Sequence, residues 1–135
     1  MKIDPRIKVY GDMSYRYPKT PLEDSECQTF VNQLNKKYGK GTLLFAHIKN
    51  EGKRTKAQMD FDNSMGFLNG VSDYIFFGNP MLCIEMKRKD HTKSAWQPEQ
   101  EPFLLRAQEN GCIVCVALGW EAAMTAVEDW MRIKK

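Results

Sequence analysis

The sequence predicts one α/β domain in which helices flank a mixed β-sheet. Helical and strand-like segments alternate along the chain, and two apolar runs are joined by a tight-turn sequence. A length of 135 residues, with 42% hydrophobic and 27% charged content, suits one globular core. No repeat or linker tract divides the chain. We therefore expect an N-terminal extension at 1–20 and a single domain at 21–135.

The first half of the chain predicts a helix and a strand, followed by an ambiguous segment. Proline and acids open "TPLEDSECQTFVNQLNKKYG", its apolar residues recur at helical spacing, and Gly39 follows as a stop. "TLLFAHIK" is apolar and bounded by polar, glycine-containing loops, which is typical of a strand. "AQMDFDNSMGFLNG" has only weak helical character.

The second half predicts a hairpin followed by a helix, a strand and a helix. "VSDYIFFG" and "MLCIEMKRK" are separated by "GNP", whose residue types favour a turn. "QPEQEPFLLRAQENG" tolerates its prolines in or near the first helical turn. "CIVCVALG" then predicts a buried strand and "WEAAMTAVEDWMRIKK" the last helix. The predicted order is α-β-β-β-α-β-α.

Three charged residues lie where the hairpin strands should bury side chains. Glu85 and Lys87 share one strand face, and the hairpin brings Asp73 alongside them. Two converging carboxylates repel each other unless a cation lies between them, and oxygen ligands suit Mg²⁺ or Mn²⁺. A lysine beside such a metal can position water near a phosphate. We expect Lys87 on an exposed catalytic face and phosphodiester hydrolysis as the chemistry.

These residues resemble the D-x(n)-E-x-K core of the PD-(D/E)xK nuclease superfamily, with Ser72 where that family has a proline. Within it, the chain is similar to the VRR-NUC family. Five elements follow in the family's order: an early helical glutamate, a polar "NEGKR" loop, a glycine-containing turn before Asp73, the E-x-K strand and a helix that opens near a glutamine. The resemblance implies a restriction-endonuclease-like α-β-β-β-α-β core.

The resemblance also implies roles for individual residues. Asp73 would be the bridging metal ligand, Glu85 a second ligand, Met86 a ligand through its backbone carbonyl and Lys87 the catalytic lysine. Glu26 would complete the metal shell directly or through water.

Two of these assignments have alternatives. Glu26 can instead be an N-terminal acid favoured by the helix dipole. Gln100 is favoured as the family's helix glutamine, with Gln97 as its rival.

Basic residues in two loops are candidates to hold DNA phosphates, although they can also be solvated loop residues. With one neighbouring asparagine they are Lys49, Asn50, Lys53, Arg54, Lys56, Arg88, Lys89 and Lys93. No motif that reads base sequence accompanies them, which favours recognition of DNA shape. The resemblance to stand-alone, often phage-encoded members implies a homodimer that cleaves branched DNA such as Holliday junctions. The alternatives are a flap or nicking nuclease, acting as a monomer or as a subunit of a larger assembly, and a decayed DNA-binding module.

The remaining features argue against other classes. We expect no membrane segment, no organic cofactor and a cytoplasmic protein in a bacterium or a phage-infected cell. Cys112 and Cys115 form the single CxxC, but on a strand they would face opposite ways, so buried thiols are expected rather than a zinc site. His47 is expected to be an ordinary strand residue.

Overall fold

The computed structural model describes residues 1–48 and 55–135. The strands are β1 Lys8–Tyr10, β2 Phe45–His47, β3 Tyr74–Phe76, β4 Leu82–Lys87 and β5 Ile113–Leu118. The helices are α1 Glu23–Tyr38, α2 Lys56–Ser64, α3 Gln100–Glu109 and α4 Trp120–Ile133, and a short 3₁₀ turn spans His91–Lys93. The strands form one sheet in the order β1-β5-β4-β3-β2. Among the described residues, no helix combines the length and apolarity needed to cross a bilayer.

The sheet is mixed, and helices cover both of its faces. Strands β1, β5 and β4 run parallel, whereas β3 and β2 are antiparallel to their neighbours. One core lies between the sheet and the helices α1 and α4. A second core lies between the opposite face, α3 and the N-terminal residues. The predicted α/β class with a helix-flanked mixed sheet is confirmed.

The N-terminal residues are part of this fold rather than an appendage to it. Strand β1 pairs with β5 in the register Lys8 with Cys115 and Tyr10 with Ala117, and Ile7 is buried in the second core. The predicted extension at 1–20 therefore contains an edge strand. A three-residue strand has no readable alternation, and its partner lies about a hundred residues away, so the local pattern did not reveal it.

The predicted hairpin is confirmed and fixes the place of the first acid. Strands β3 and β4 pair with Tyr74 opposite Ile84 and Phe76 opposite Leu82. Continuing this register by one residue places Asp73, which directly precedes β3, opposite Glu85.

Alternate residues of β4 enter different cores, as the period of a strand requires. Ile84 and Met86 pack in the first core, whereas Cys83 packs in the second. Glu85 and Lys87 therefore lie on the face that α3 covers. The same rule separates the CxxC cysteines, because Cys115 is in the first core and Cys112 packs against the second.

A close backbone contact joins the loop before β3 to the start of α3. Gly70 has a φ of +76°, and a Cβ built on it would lie 2.2 Å from the carbonyl oxygen of Glu99. Any other residue would be strained there and would push the two segments apart. The contact brings the residues before Asp73 against the end of α3 that carries Gln100.

Candidate active site

A cleft of about 650 Å³ opens where β3 and β4 meet the first turns of α1 and α3. Residues of β2, α2 and the loop before β3 complete its wall. Its described lining carries no lysine or arginine but five carboxylates, which are Glu23, Asp24, Asp73, Glu85 and Glu99. So many acids on one concave surface favour a bound cation.

Asp73 and Glu85 form the floor of the cleft. Asp73 Oδ2 accepts a hydrogen bond of 2.7 Å from the backbone N–H of Met86. Glu85 is only 1% exposed, and its Oε1 accepts a 3.2 Å hydrogen bond from Gln100 Nε2. Its other oxygen, Oε2, is buried and accepts no hydrogen bond from the described residues. An unpartnered carboxylate oxygen in the interior is unfavourable unless a proton or a cation compensates it.

Burial and mutual repulsion make this pair difficult to ionise. Burial raises the pKa of Glu85 well above its ordinary value, and the neighbouring Asp73 raises it further. Burial also raises the pKa of Asp73, although hydrogen bonds from Glu85 and from the Met86 N–H oppose the rise. A proton shared between the two side chains is the compensation available without a metal.

Lys87 lies beside this pair, and its ammonium is enclosed. Its Nζ donates hydrogen bonds of 2.9 Å to the Ala95 carbonyl and to Gln100 Oε1. It also lies 4.0 Å from Glu85 Oε1 and 3.7 Å from Glu23 Oε1. The expectation of an exposed lysine is wrong, since the side chain is 2% exposed. The end of β4 is covered on this face by Ala95, Trp96 and Gln100, which a pattern confined to β4 could not reveal.

Gln100 connects the lysine to the acid. Its Oε1 accepts from Lys87 Nζ and from the Gln97 backbone N–H at 2.9 Å each, while its Nε2 donates to Glu85. Gln97 lines the cleft, and the hydrogen bond it makes to Gln100 comes from its backbone. The geometry favours Gln100 over Gln97 as the glutamine of the cluster.

The structure does not bring Glu26 into the cleft. Its side chain points to the start of α4, where Oε2 accepts a 3.1 Å hydrogen bond from the Trp120 backbone N–H. A Cβ on Gly119 would lie 2.6 Å from that oxygen, so the glycine makes room for the carboxylate. Glu26 therefore caps α4 and lies outside the cleft that Asp73 and Glu85 line. The reason is helical phase, because Glu26 shares its face of α1 with the buried Phe30 and Leu34.

Glu23 occupies the place expected of Glu26. It is the first residue of α1, lines the cleft and contacts Lys87. Burial raises its pKa, while the charge of Lys87 opposes the rise. Glu23 and Cys27 are four residues apart, so they lie on the same face of α1, and both line the cleft. Helical periodicity was therefore the sequence signal that could have distinguished Glu23 from Glu26.

His47 also reaches the site, which the sequence did not indicate. It lines the cleft, and its ring centroid lies 4.7 Å from that of Tyr74. Its charge acts to lower the pKa of Asp73. The histidine is thus a cleft residue as well as a residue of β2.

The donor set fits a hard divalent cation that retains water ligands. Within the described ranges, no three His, Cys, Asp or Glu side chains gather as a metal cage. Mg²⁺ commonly takes only one or two carboxylates and keeps several waters, which Asp73 and Glu85 can satisfy. The Met86 carbonyl projects from β4 on the same side as its N–H, toward Asp73. The orphaned Glu85 Oε2 is the atom that such an ion would compensate.

The predicted phosphate-binding residues have different surroundings. Lys56 and Lys93 are exposed, and Lys89 lies 3.7 Å from Glu121. Arg88 instead donates to the backbone carbonyls of Thr20 and Pro21, so it ties the chain before α1 to the end of β4. Its guanidinium is engaged within the fold. Lys49, Asn50, Lys53 and Arg54 lie outside the described residues.

Comparison with known proteins identifies the architecture. No family model and no curated protein matches the chain. Among solved structures, a protein described as "VRR_NUC domain protein" aligns with a TM-score of 0.67. The alignment covers 85% of this chain and 92% of that chain, at 20% sequence identity. The chain has the fold of a VRR_NUC domain. The restriction-endonuclease-like arrangement predicted from the sequence is confirmed at the level of fold.

Proposed function

We propose that this chain is a VRR-NUC family nuclease, a metal-dependent endodeoxyribonuclease that hydrolyses phosphodiester bonds. One observation carries the proposal: Asp73, Glu85 and Gln100 line one cleft, Lys87 contacts Gln100 and Glu85 directly behind it, and Glu85 Oε2 is buried there without a donor. A buried acid pair beside a buried ammonium is unfavourable for stability, which points to a role in catalysis. The VRR_NUC domain fold is consistent with that role.

The proposed cofactor is Mg²⁺ or Mn²⁺, held by Asp73, Glu85 and the Met86 carbonyl. When bound, such an ion would polarise a phosphoryl oxygen and lower the pKa of a bound water. The proposed holder of a water ligand is Glu23, which lines the cleft from α1, in place of the Glu26 expected from the sequence.

Lys87 is the proposed catalytic lysine, and the chain itself fixes its ammonium. The Ala95 carbonyl and Gln100 hold two of its protons, which leaves the third to orient water or to stabilise a phosphoryl oxygen. Gln100 also donates a hydrogen bond to Glu85, so one amide group fixes the acid and the lysine relative to each other. The two 2.9 Å hydrogen bonds restrict Lys87 before substrate binds, as preorganised catalysis requires.

The proposed substrate is branched DNA, recognised by its shape. Exposed Lys56 and Lys93 are candidates to hold phosphates without reading bases. Paired cuts in a four-way junction need two active sites, and this chain supplies one. We therefore propose a homodimer. The alternatives are a flap or nicking nuclease, acting as a monomer or in a larger assembly, and a decayed DNA-binding module.

An exposed apolar surface at the end of α2 and directly after it supports the dimer. Phe61, Met65, Phe67 and Leu68 are each more than half exposed within eight residues. The N-terminal extension packs Met1, Ile3 and Ile7 against its own core, so these side chains are not available for such a contact. Sedimentation of the wild type and of Phe61→Glu tests the contact. We expect a dimer that dissociates in the variant, and a monomeric wild type would contradict the proposal.

The decisive experiment compares matched linear duplex, flap and four-way-junction DNA with Mg²⁺, Mn²⁺ or EDTA. We expect metal-dependent cleavage that is fastest on the junction, with symmetric cuts. Glu85→Gln should abolish cleavage, while Glu109→Gln, a matched change on an exposed helix end, should cleave like the wild type. Preference for the flap or single nicks would favour the first alternative. Binding without cleavage under every metal would favour a decayed module.

A further inference from the structure

The ammonium of Lys87 has a fifth neighbour. Its Nζ lies 5.3 Å from the ring centroid of Trp96, within the range of a cation–π interaction. Other cation–π lysines in the described chain, including Lys37 and Lys89, have exposed or partly exposed side chains. Lys87 is 2% exposed, so here the interaction acts on a desolvated charge and is correspondingly stronger.

The indole is itself held by the N-terminal segment. Trp96 Nε1 donates a 2.7 Å hydrogen bond to the backbone carbonyl of Lys2, and the ring packs with Met1 and Ile3 against the second core. This segment is tied to α3 at two further points. The Asp4 N–H donates to Glu101 Oε2, and Gln108 Nε2 donates to the Arg6 carbonyl.

We infer that Trp96 is a positioning residue for Lys87, and that residues 1–6 hold its ring in place. The inference rests on the proposed function, because it assigns residues 1–6 an indirect role in catalysis. Ala95 and Trp96 are consecutive, and one supplies a carbonyl and the other a ring face to the same ammonium. A shift of residues 1–6 would move Trp96 and its neighbour Ala95, and with them two of the contacts that orient the lysine. The N-terminal residues thus contribute to catalysis indirectly, by holding the ring that positions Lys87.

A double-mutant cycle tests the contact without requiring activity. Urea unfolding is measured for the wild type, Lys87→Met, Trp96→Leu and the double variant, without metal or DNA. Lys87→Met keeps an apolar stem and removes the ammonium. We expect Trp96→Leu to lower the unfolding midpoint less when the ammonium is already absent. Trp120→Leu paired with Lys87→Met is the matched control and should be additive. Additive losses for Trp96 would overturn the inference.

Single-turnover cleavage tests the positioning role. Trp96→Phe keeps an aromatic face, so we expect a rate within about threefold of the wild type, whereas Trp96→Leu should lose about tenfold. The Kd for junction DNA in Ca²⁺ and the Mn²⁺ concentration giving half-maximal rate should not change. Equal losses in both variants, or a parallel loss of DNA affinity, would assign Trp96 a structural role only. If the wild type cleaves nothing, the proposed function fails, while the unfolding cycle still decides whether Trp96 and Lys87 are coupled.

Discussion

Removing the charge of Glu85 should stabilise the metal-free protein at neutral and alkaline pH. Glu85→Gln keeps the side-chain shape, and its amide oxygen can still accept from Gln100. The new N–H₂ group takes the position of Glu85 Oε2, the oxygen that accepts no hydrogen bond in the wild type. From there it can donate to Asp73. The change therefore replaces repulsion between two buried acids with a hydrogen bond.

The sign of the pH dependence follows from the raised pKa of Glu85. The folded state holds a proton that the unfolded chain releases near the ordinary value of 4.5. The stabilising contribution is complete below that pH and is lost as pH rises through the higher folded-state pKa. One extra bound proton limits the slope to about 1.4 kcal/mol per pH unit. For a chain of this length, that corresponds to roughly 4–7 °C in Tm per pH unit at the steepest point.

Thermal unfolding in EDTA from pH 4.5 to 9 measures this dependence. The wild-type curve should fall with rising pH, and the Glu85→Gln curve should stay above it by a widening margin. Other buried acids titrate in both proteins, so the difference between the curves isolates the pair. Saturation with Mn²⁺ to 100 times Kd should restore about 2.7 kcal/mol to the wild type at pH 8 and little to the variant. Parallel pH curves would refute the assigned electrostatics.

Three further predictions concern the rest of the site. Glu26→Ala should lower the free energy of unfolding in urea by about 1–2 kcal/mol and leave the Mn²⁺ affinity unchanged. Glu23→Ala should weaken cleavage without destabilising the fold. The reverse pattern would return Glu26 to the site. Gly70→Ala should lower the unfolding free energy by at least about 1–2 kcal/mol, and an unchanged value would contradict the close contact with α3. From the sequence alone, Lys53→Ala with Arg54→Ala should flatten the salt dependence of DNA binding by about two charges, and an unchanged slope would leave both as solvated loop residues.

The sequence was most informative where short-range patterns determine structure. The turn residues between β3 and β4, together with the period of two, placed Asp73 opposite Glu85 and separated Glu85 from Ile84. Strand β1 was missed because its only evidence is pairing with β5, a contact across most of the chain. A pairing between such distant segments cannot be recognised from the local pattern of a three-residue strand.

The positions of the candidate site residues were predicted better on β4 than on α1. A strand residue has two alternative faces, so Glu85 and Lys87 were fixed once the strand was recognised. A helix residue can point in many directions, and two glutamates three residues apart compete for one cleft. The buried face of Phe30 and Leu34 would have assigned Glu26 to the core side and left Glu23 for the site. Burial of Lys87 depended on the segment around Ala95, which no local pattern connects to β4.

Compensation of charge distinguishes the parts of this site. The ammonium of Lys87 has two acceptors at 2.9 Å and two nearby carboxylates, so its charge is compensated before any ligand binds. Asp73 has the Met86 N–H, but Glu85 Oε2 has no donor. A fold selected only for stability would not keep a buried acid pair whose repulsion must be relieved by a shared proton. The uncompensated charge therefore lies on the acid pair, which lines the cleft where a cation and a phosphate would enter. This acid pair links the stability of the chain to its proposed chemistry.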